Sequence, residues 1–243
     1  MCDMCVEQAK HMSPGRRGFL KAAASAAASF AIAPHAFAAA PKAPPKPENA
    51  LTPDAALKRL LDGNARYIAG TTQRYDFRSE RKALSRGQNP FVAVLSCADS
   101  RIAPEFCFDT ARGDVFVCRV AGNFATDEII ASLEYAVQVL NAPLIMVLGH
   151  EACGAVDAAI KSIKDGTTLP GHLPSLVHAL TPAIDAVKGQ PGDLLANAIK
   201  NNVAINVDKI KNSTPILQSF VNSDKLHVVG GVYQLKTGKV ALI

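Results

Sequence analysis

Uninterrupted apolar runs, rather than alternation, mark the middle of the chain. Residues 91–96 (FVAVLS), 115–120 (VFVCRV) and 144–148 (LIMVL) are short and rich in β-formers. Such runs suit strands covered on both faces, the condition of a parallel sheet. Between the second and third, residues 126–140 place Ile129, Ile130, Leu133, Val137 and Leu140 at helical spacing. Further helical patterns run over about 152–164, 174–188 and 192–211. Residues 226–235 and 240–243, joined through Thr237-Gly238, read as a strand and a short hairpin partner. Ahead of the first strand, Thr52-Pro53-Asp54 is a helix start: a capping hydroxyl, a proline where no N–H is needed, and an acid at the positive end of the dipole. Residues 71–90 are polar and irregular, with room for one short helix near 80–85. Strands alternating with helices predict an α/β fold, a mostly parallel central β-sheet flanked by helices, preceded by an N-terminal helical arm.

The first fifty residues follow another logic. Arg16-Arg17 precedes Phe19-Leu20-Lys21, an Ala-rich apolar stretch follows, and Ala36-Phe37-Ala38 has the A-x-A form of a cleavage site. This order resembles a twin-arginine export signal over residues 1–38, removed on maturation, with Gly15 where Ser or Thr is usual. The expected location is the periplasm. Residues 39–50 contain PKAPPKP and read as a Pro-rich linker. The Cys2-x-x-Cys5 pair would leave with the signal, so no metal or redox role is expected of it. Residues 51–243 form one domain of ordinary size.

Composition narrows the classes. The 243 residues are 49% hydrophobic and 19% charged, a globular balance. The net charge of +5 is scattered, and no Lys/Arg cluster is interleaved with aromatics, so no nucleic-acid partner is expected. The longest apolar candidate, residues 22–33, is too short and too Ala-rich for a membrane span. Six cysteines are too few for a disulfide scaffold. Cys118 lies within a predicted buried strand, so Cys107 and Cys118 are expected as reduced core thiols rather than a pair.

The candidate chemistry sits where the apolar runs end. The run 91–96 leads into Cys97-Ala98-Asp99-Ser100-Arg101, and 144–148 leads into Gly149-His150-Glu151-Ala152-Cys153-Gly154. Ligands of open parallel sheets bind beyond the carboxyl ends of the strands. If these two strands are near neighbours, Cys97, His150 and Cys153 converge. Two thiolates and an imidazole are a zinc set, and three protein ligands leave one position open, as at catalytic rather than structural sites. A helix N-terminus at Cys153 favours the thiolate. Asp99 and Arg101 lie two apart in the turn after Cys97, where the guanidinium would hold the carboxylate ionised and oriented.

Cys97-Ala-Asp99-Ser-Arg101 and His150-x-x-Cys153-Gly154 resemble the paired signatures of β-class carbonic anhydrases. The likeness continues through Gly113-Asp-Val-Phe116-Val, Arg119-Val-Ala-Gly-Asn123 and Ser132-Leu-Glu-Tyr135-Ala-Val, in the same order and with similar spacing. It covers about residues 50–243. The resemblance implies reversible hydration of carbon dioxide to bicarbonate and a proton by attack of zinc-bound hydroxide, with one Zn2+ per subunit held by Cys97, His150 and Cys153. Asp99 and Arg101 would be the catalytic dyad. Gln88, Phe116, Tyr135 and Gly154 would line the substrate side, although Phe116 and Tyr135 serve equally as core packing. The partners implied are the small-molecule substrate and further copies of the chain, as a dimer or tetramer, with the helix from Pro53 as the arm on the partner. Some members hold bicarbonate in a side pocket of Trp, Arg and Tyr. Arg119 and Tyr135 match that pattern, but Val94 stands at the Trp position. The expectation is therefore the open type, without that pocket and with Asp99 off the metal. Hydrolases of carbon disulfide or carbonyl sulfide share the motifs, but no long insertion that would narrow the pocket is evident. A metal-holding protein without activity, and a thiol redox protein, are weaker alternatives.

Overall fold

The computed structural model describes residues 50–243. The expected signal (1–38) and all of the linker but its last residue lie outside these. Thr52 caps α1 (Pro53–Ala69), its hydroxyl accepting from Ala55 N–H at 3.3 Å, and Gly70 closes it in the left-handed conformation. A second helix, α2 (Phe77–Leu84), starts three residues earlier than the polar pattern indicates. The reason is local: Asp76 Oδ1 accepts from Arg78 and Ser79 N–H at 3.0 and 3.2 Å, an N-cap preceding an exposed aromatic.

The three apolar runs are strands β1 (Val92–Ser96), β2 (Val115–Arg119) and β3 (Leu144–His150). The last strand and its hairpin partner are β4 (His227–Tyr233) and β5 (Val240–Leu242). The sheet order is β2-β1-β3-β4-β5, parallel except for β5. Three helices match the expected patterns to within three residues at each end: α4 (Asp127–Gln138), α5 (Gly154–Asp165) and α6 (Leu173–Asp185). A fourth, α7 (Leu194–Lys211), is capped by Asp193. Two short helices were not expected from the pattern: α3 (Pro104–Cys107) and α8 (Ile216–Asn222). Both are too short to show a 3.6-residue period.

Each face of the sheet carries its own core. Ala93, Leu95, Ile145 and Val147 pack with Leu133, Leu180, Ile199 and Val203 on one face. Val92, Val94, Met146 and Leu148 pack with Ala56, Leu60 and Phe108 on the other. That double burial explains the absence of alternation in β1 and β3, every residue of which is buried. Each fully buried Leu or Ile contributes roughly 1.5–3 kcal/mol. Among the described residues, no helix is long and apolar enough to cross a membrane.

Candidate metal centre

The register of β1 on β3 brings the sequence signatures together. Leu95 pairs with Val147 and Ser96 with Leu148, so both strands end on the same side. Cys97 follows β1 directly, His150 closes β3, and Cys153 caps α5 in an extended conformation (φ −67°, ψ 112°). Between the last two, Ala152 occupies the left-handed region at φ 49°, which turns the chain sharply enough to return Cys153 to His150. Gly149 is required for the close packing of α7 on β3, since a Cβ there would lie 2.6 Å from Val203 Cγ2.

The three ligand atoms lie within 4.8 Å of one another, and all three side chains are buried. Cys97 Sγ and Cys153 Sγ are 3.9 Å apart. His150 Nδ1 is 2.8 Å from the Glu151 carbonyl, which can only accept, so the proton sits on Nδ1 and Nε2 keeps its lone pair. Nε2 is fully buried and has no hydrogen-bond partner. The Cys97 thiol is pulled down, chiefly by its hydrogen bond with Cys153, against burial, with help from the Gly122 and Asp99 N–H groups. The same contact with Cys97, together with burial, pushes Cys153 far up. Ionising both sulfurs requires positive charge at this point, and the orphaned Nε2 supplies a third donor. The set fits zinc, with one coordination position left over.

Asp99 and Arg101 stand beside the cluster. Arg101 Nε and Nη2 donate to Asp99 Oδ1 and Oδ2 at 2.9 and 2.7 Å, and Arg101 N–H also donates to Oδ1 at 2.9 Å. These bonds hold the Asp99 carboxyl well below the usual carboxylate range, the Arg101 side chain being the largest cause and burial the opposing one. Arg101 Nη2 also donates to the Ala152 carbonyl at 3.2 Å, tying the two loops together. Asp99 Oδ2 lies 3.9 Å from His150 Nε2.

The substrate-side residues are less gathered. Gln88 is exposed in the loop before β1. Phe116 and Tyr135 form a tilted aromatic pair, centroids 6.2 Å apart, with Tyr135 47% exposed. Gly154 is the first residue of α5, and the space beside its Cα is open. Val94 is wholly buried in the sheet. Cys107 and Cys118 are free and buried, and burial raises both thiols.

Arg119 has a role that its motif did not reveal. Paired opposite Ser96 at the end of β2, it donates from Nε to the Cys97 carbonyl at 3.0 Å. Its Nη2 donates to the carbonyls of Asp99 and Ile102 at 2.8 and 2.9 Å. It is a clamp on the loop that carries Cys97 and Asp99. Gly122 is a second omission, its N–H donating to Cys97 Sγ at 3.3 Å. The positive φ of 88° that aims it is legible in sequence only as an unexplained glycine.

The family model for carbonic anhydrase matches residues 92–240. "Carbonic anhydrase 2" of Mycobacterium tuberculosis is 37% identical over 191 residues, covering 78% of this chain and 92% of that one. A carbonic anhydrase of Mycolicibacterium smegmatis is 38% identical over 195 residues, covering 78% and 93%. Among solved structures, a Coccomyxa β-carbonic anhydrase in complex with acetazolamide matches with a TM-score of 0.61 at 27% identity, covering 77% of this chain and 86% of that one. The chain belongs to the β-carbonic anhydrase family.

Proposed function

We propose that the chain catalyses the zinc-dependent, reversible hydration of carbon dioxide to bicarbonate and a proton. The observation that carries this is the buried Cys97–His150–Cys153 cluster with the Arg101-held Asp99 carboxylate 3.9 Å from its imidazole nitrogen. Cys97, His150 and Cys153 hold one Zn2+ per subunit, and the metal supplies a Lewis acid that makes water nucleophilic near pH 7. Two thiolates keep that site close to neutral.

Asp99 is ionised throughout the working range, so it can only accept a hydrogen bond. Oδ2 takes the proton side of the attacking oxygen and turns its lone pair toward the carbon of CO2. Arg101 occupies both carboxylate oxygens, which keeps Asp99 charged and off the metal. This is the open form, in keeping with Val94 in the sheet and with Arg119 committed to three loop carbonyls. The Gly154 N–H, at the start of α5, has no carbonyl of its own helix to meet and is free to receive an oxygen of the substrate. Phe116, Tyr135 and Gln88 line the approach. Exposed Phe77 (53%) and Phe106 (70%) border a recess of about 970 Å3 with Tyr67 and Tyr75, an apolar surface that supports assembly with a second copy. The signal over residues 1–38 directs the enzyme to the periplasm.

The test is stopped-flow CO2 hydration with metal content measured on the same sample. One zinc per chain and a rate well above the buffer blank are expected, and Cys97→Ser should abolish both. A zinc-loaded chain at the blank rate would leave a metal-holding protein instead. Faster turnover of carbonyl sulfide or carbon disulfide than of CO2 would reassign the substrate. Light scattering reads the assembly. Fractionation of cells expressing the chain with Arg16→Lys and Arg17→Lys reads the export signal.

A further inference from the structure

Helix α7 carries two asparagines on its buried face. Asn202 and Asn206 are 2% and 4% exposed, in a stripe otherwise formed by Ala198, Ile199, Val203, Val207 and Ile210. An amide in such a place is costly unless every bond is met. Here the bonds run to one place, the loop between β2 and α4. Asn202 Nδ2 donates to the Gly122 carbonyl at 2.8 Å. Asn206 Oδ1 accepts from Ala125 N–H at 2.7 Å. Asn206 Nδ2 donates to Asn202 O and Oδ1 at 2.7 and 3.1 Å, joining the two amides into a ladder. One turn further on, Lys209 Nζ donates to the Ala125 carbonyl at 2.6 Å.

The segment so pinned holds an unfavourable backbone. Gly122 has φ 88° and Asn123 has φ 40°, consecutive left-handed residues, one of them not glycine. Such conformations persist when their surroundings over-determine them. Leu180 stands where a Cβ on Gly122 would come within 3.1 Å, so the loop is also closed from behind. What this conformation delivers to the cluster is the bond from Gly122 N–H to Cys97 Sγ at 3.3 Å.

We infer that Asn202 and Asn206 are positioning residues for the metal ligand Cys97: the ladder fixes Gly122 so that its N–H meets the Cys97 sulfur and sets the direction in which that sulfur presents its lone pairs. The inference rests on the zinc reading of the cluster. Partners of this kind, one step removed from the metal, orient the ligand, and their loss typically lowers metal affinity or activity by 10- to 100-fold. Two amides four residues apart on one helix thus act on a ligand more than a hundred positions earlier in the chain.

The test uses the full chain with zinc, and a parallel sample with zinc exchanged for cobalt(II). Asn202→Leu removes the donor to Gly122. Asn206→Asp keeps the acceptor for Ala125 and loses the donor to Asn202, and as a near-isosteric change it serves if Asn202→Leu does not fold. Ile210→Ala, on the same buried face but outside the ladder, is the control for stability alone. In both asparagine variants we expect zinc release to a competing chelator at least ten-fold faster, and a shifted or weakened thiolate-to-cobalt charge-transfer band. Ile210→Ala should lower the unfolding midpoint and leave band and release rate unchanged. Asparagine variants with the parental band and with release within two-fold of the parent overturn the inference. So does an Ile210→Ala variant that alters both as much. A parental chain that takes up neither metal overturns the zinc reading itself, and shows it before any variant is made.

Discussion

Replacing Arg119 by alanine isolates what the loop clamp contributes. The side chain makes three bonds, to the carbonyls of Cys97, Asp99 and Ile102. The bond to Asp99 is exposed, and water replaces it at little cost. The other two are partly buried. At about 1.5–3 kcal/mol for a hydrogen bond to a charged donor, they amount to roughly 3–6 kcal/mol gross. Releasing a long side chain returns about 1.5–2 kcal/mol of rotamer entropy, and water reaches part of each freed carbonyl. A net of about 1–3 kcal/mol then favours displaced arrangements of residues 97–102. At 1.4 kcal/mol per factor of ten, Arg119→Ala should lower kcat/KM for CO2 hydration roughly 10- to 100-fold. Arg119→Lys, which reaches one carbonyl rather than three, should recover part of the loss. The assay is stopped-flow hydration on metal-matched samples, with amide exchange of residues 97–102 followed alongside. Parental kcat/KM within two-fold, together with unchanged exchange, would refute the clamp.

Three further outcomes are expected. Gly63→Ala should destabilise despite the roughly 1 kcal/mol by which alanine is the better helix former, because its Cβ would lie 1.9 Å from the Phe108 carbonyl oxygen; a urea midpoint at or above the parental value contradicts this. The Asp99 carboxyl titrates below its unfolded value of about 3.9, so its contribution to stability is complete above that pH and is lost as pH falls toward the folded value. Arg101→Ala should move this acid limb upward, and coincident acid-unfolding curves for parent and variant would count against it. In metal-stripped protein, Cys97 and Cys153, with sulfurs 3.9 Å apart, should pass two electrons to oxidised glutathione, releasing two reduced glutathiones and forming a disulfide of about 2.05 Å. Thiol counting and mass mapping would detect it, zinc should protect against it, and persistence of both thiols would exclude it.

Much of this architecture was legible because the strands are buried on both faces. A continuous apolar run is then the signal, and 91–96, 115–120 and 144–148 fell within a few residues of β1, β2 and β3. The Cys97–His150–Cys153 cluster was legible for a related reason: strand ends in a parallel sheet are where functional loops gather, and Cys, His and Asp stand out after apolar residues. The short helices α3 and α8 were not legible, since four and seven residues give no period to detect. The expected start of α5 at about residue 152 missed the left-handed Ala152, whose conformation is set by the return of Cys153 to His150 rather than by its side chain. The carbonyl clamp of Arg119 and the amides of α7 depend on which loop lies across from them, which composition and spacing do not encode.

Cys97, His150 and Cys153 reach their meeting point from two strand ends, the two cysteines 56 positions apart in the chain. No short segment holds them all, so an unfolded chain offers the cation only scattered, entropically expensive donors. An ion gripped there would therefore behave as a removable staple: its capture free energy would accrue almost entirely to the assembled form, growing by RT ln(1 + [Zn2+]/Kd) with supply. Thermal resilience of this protein should consequently track the metal available where it matures.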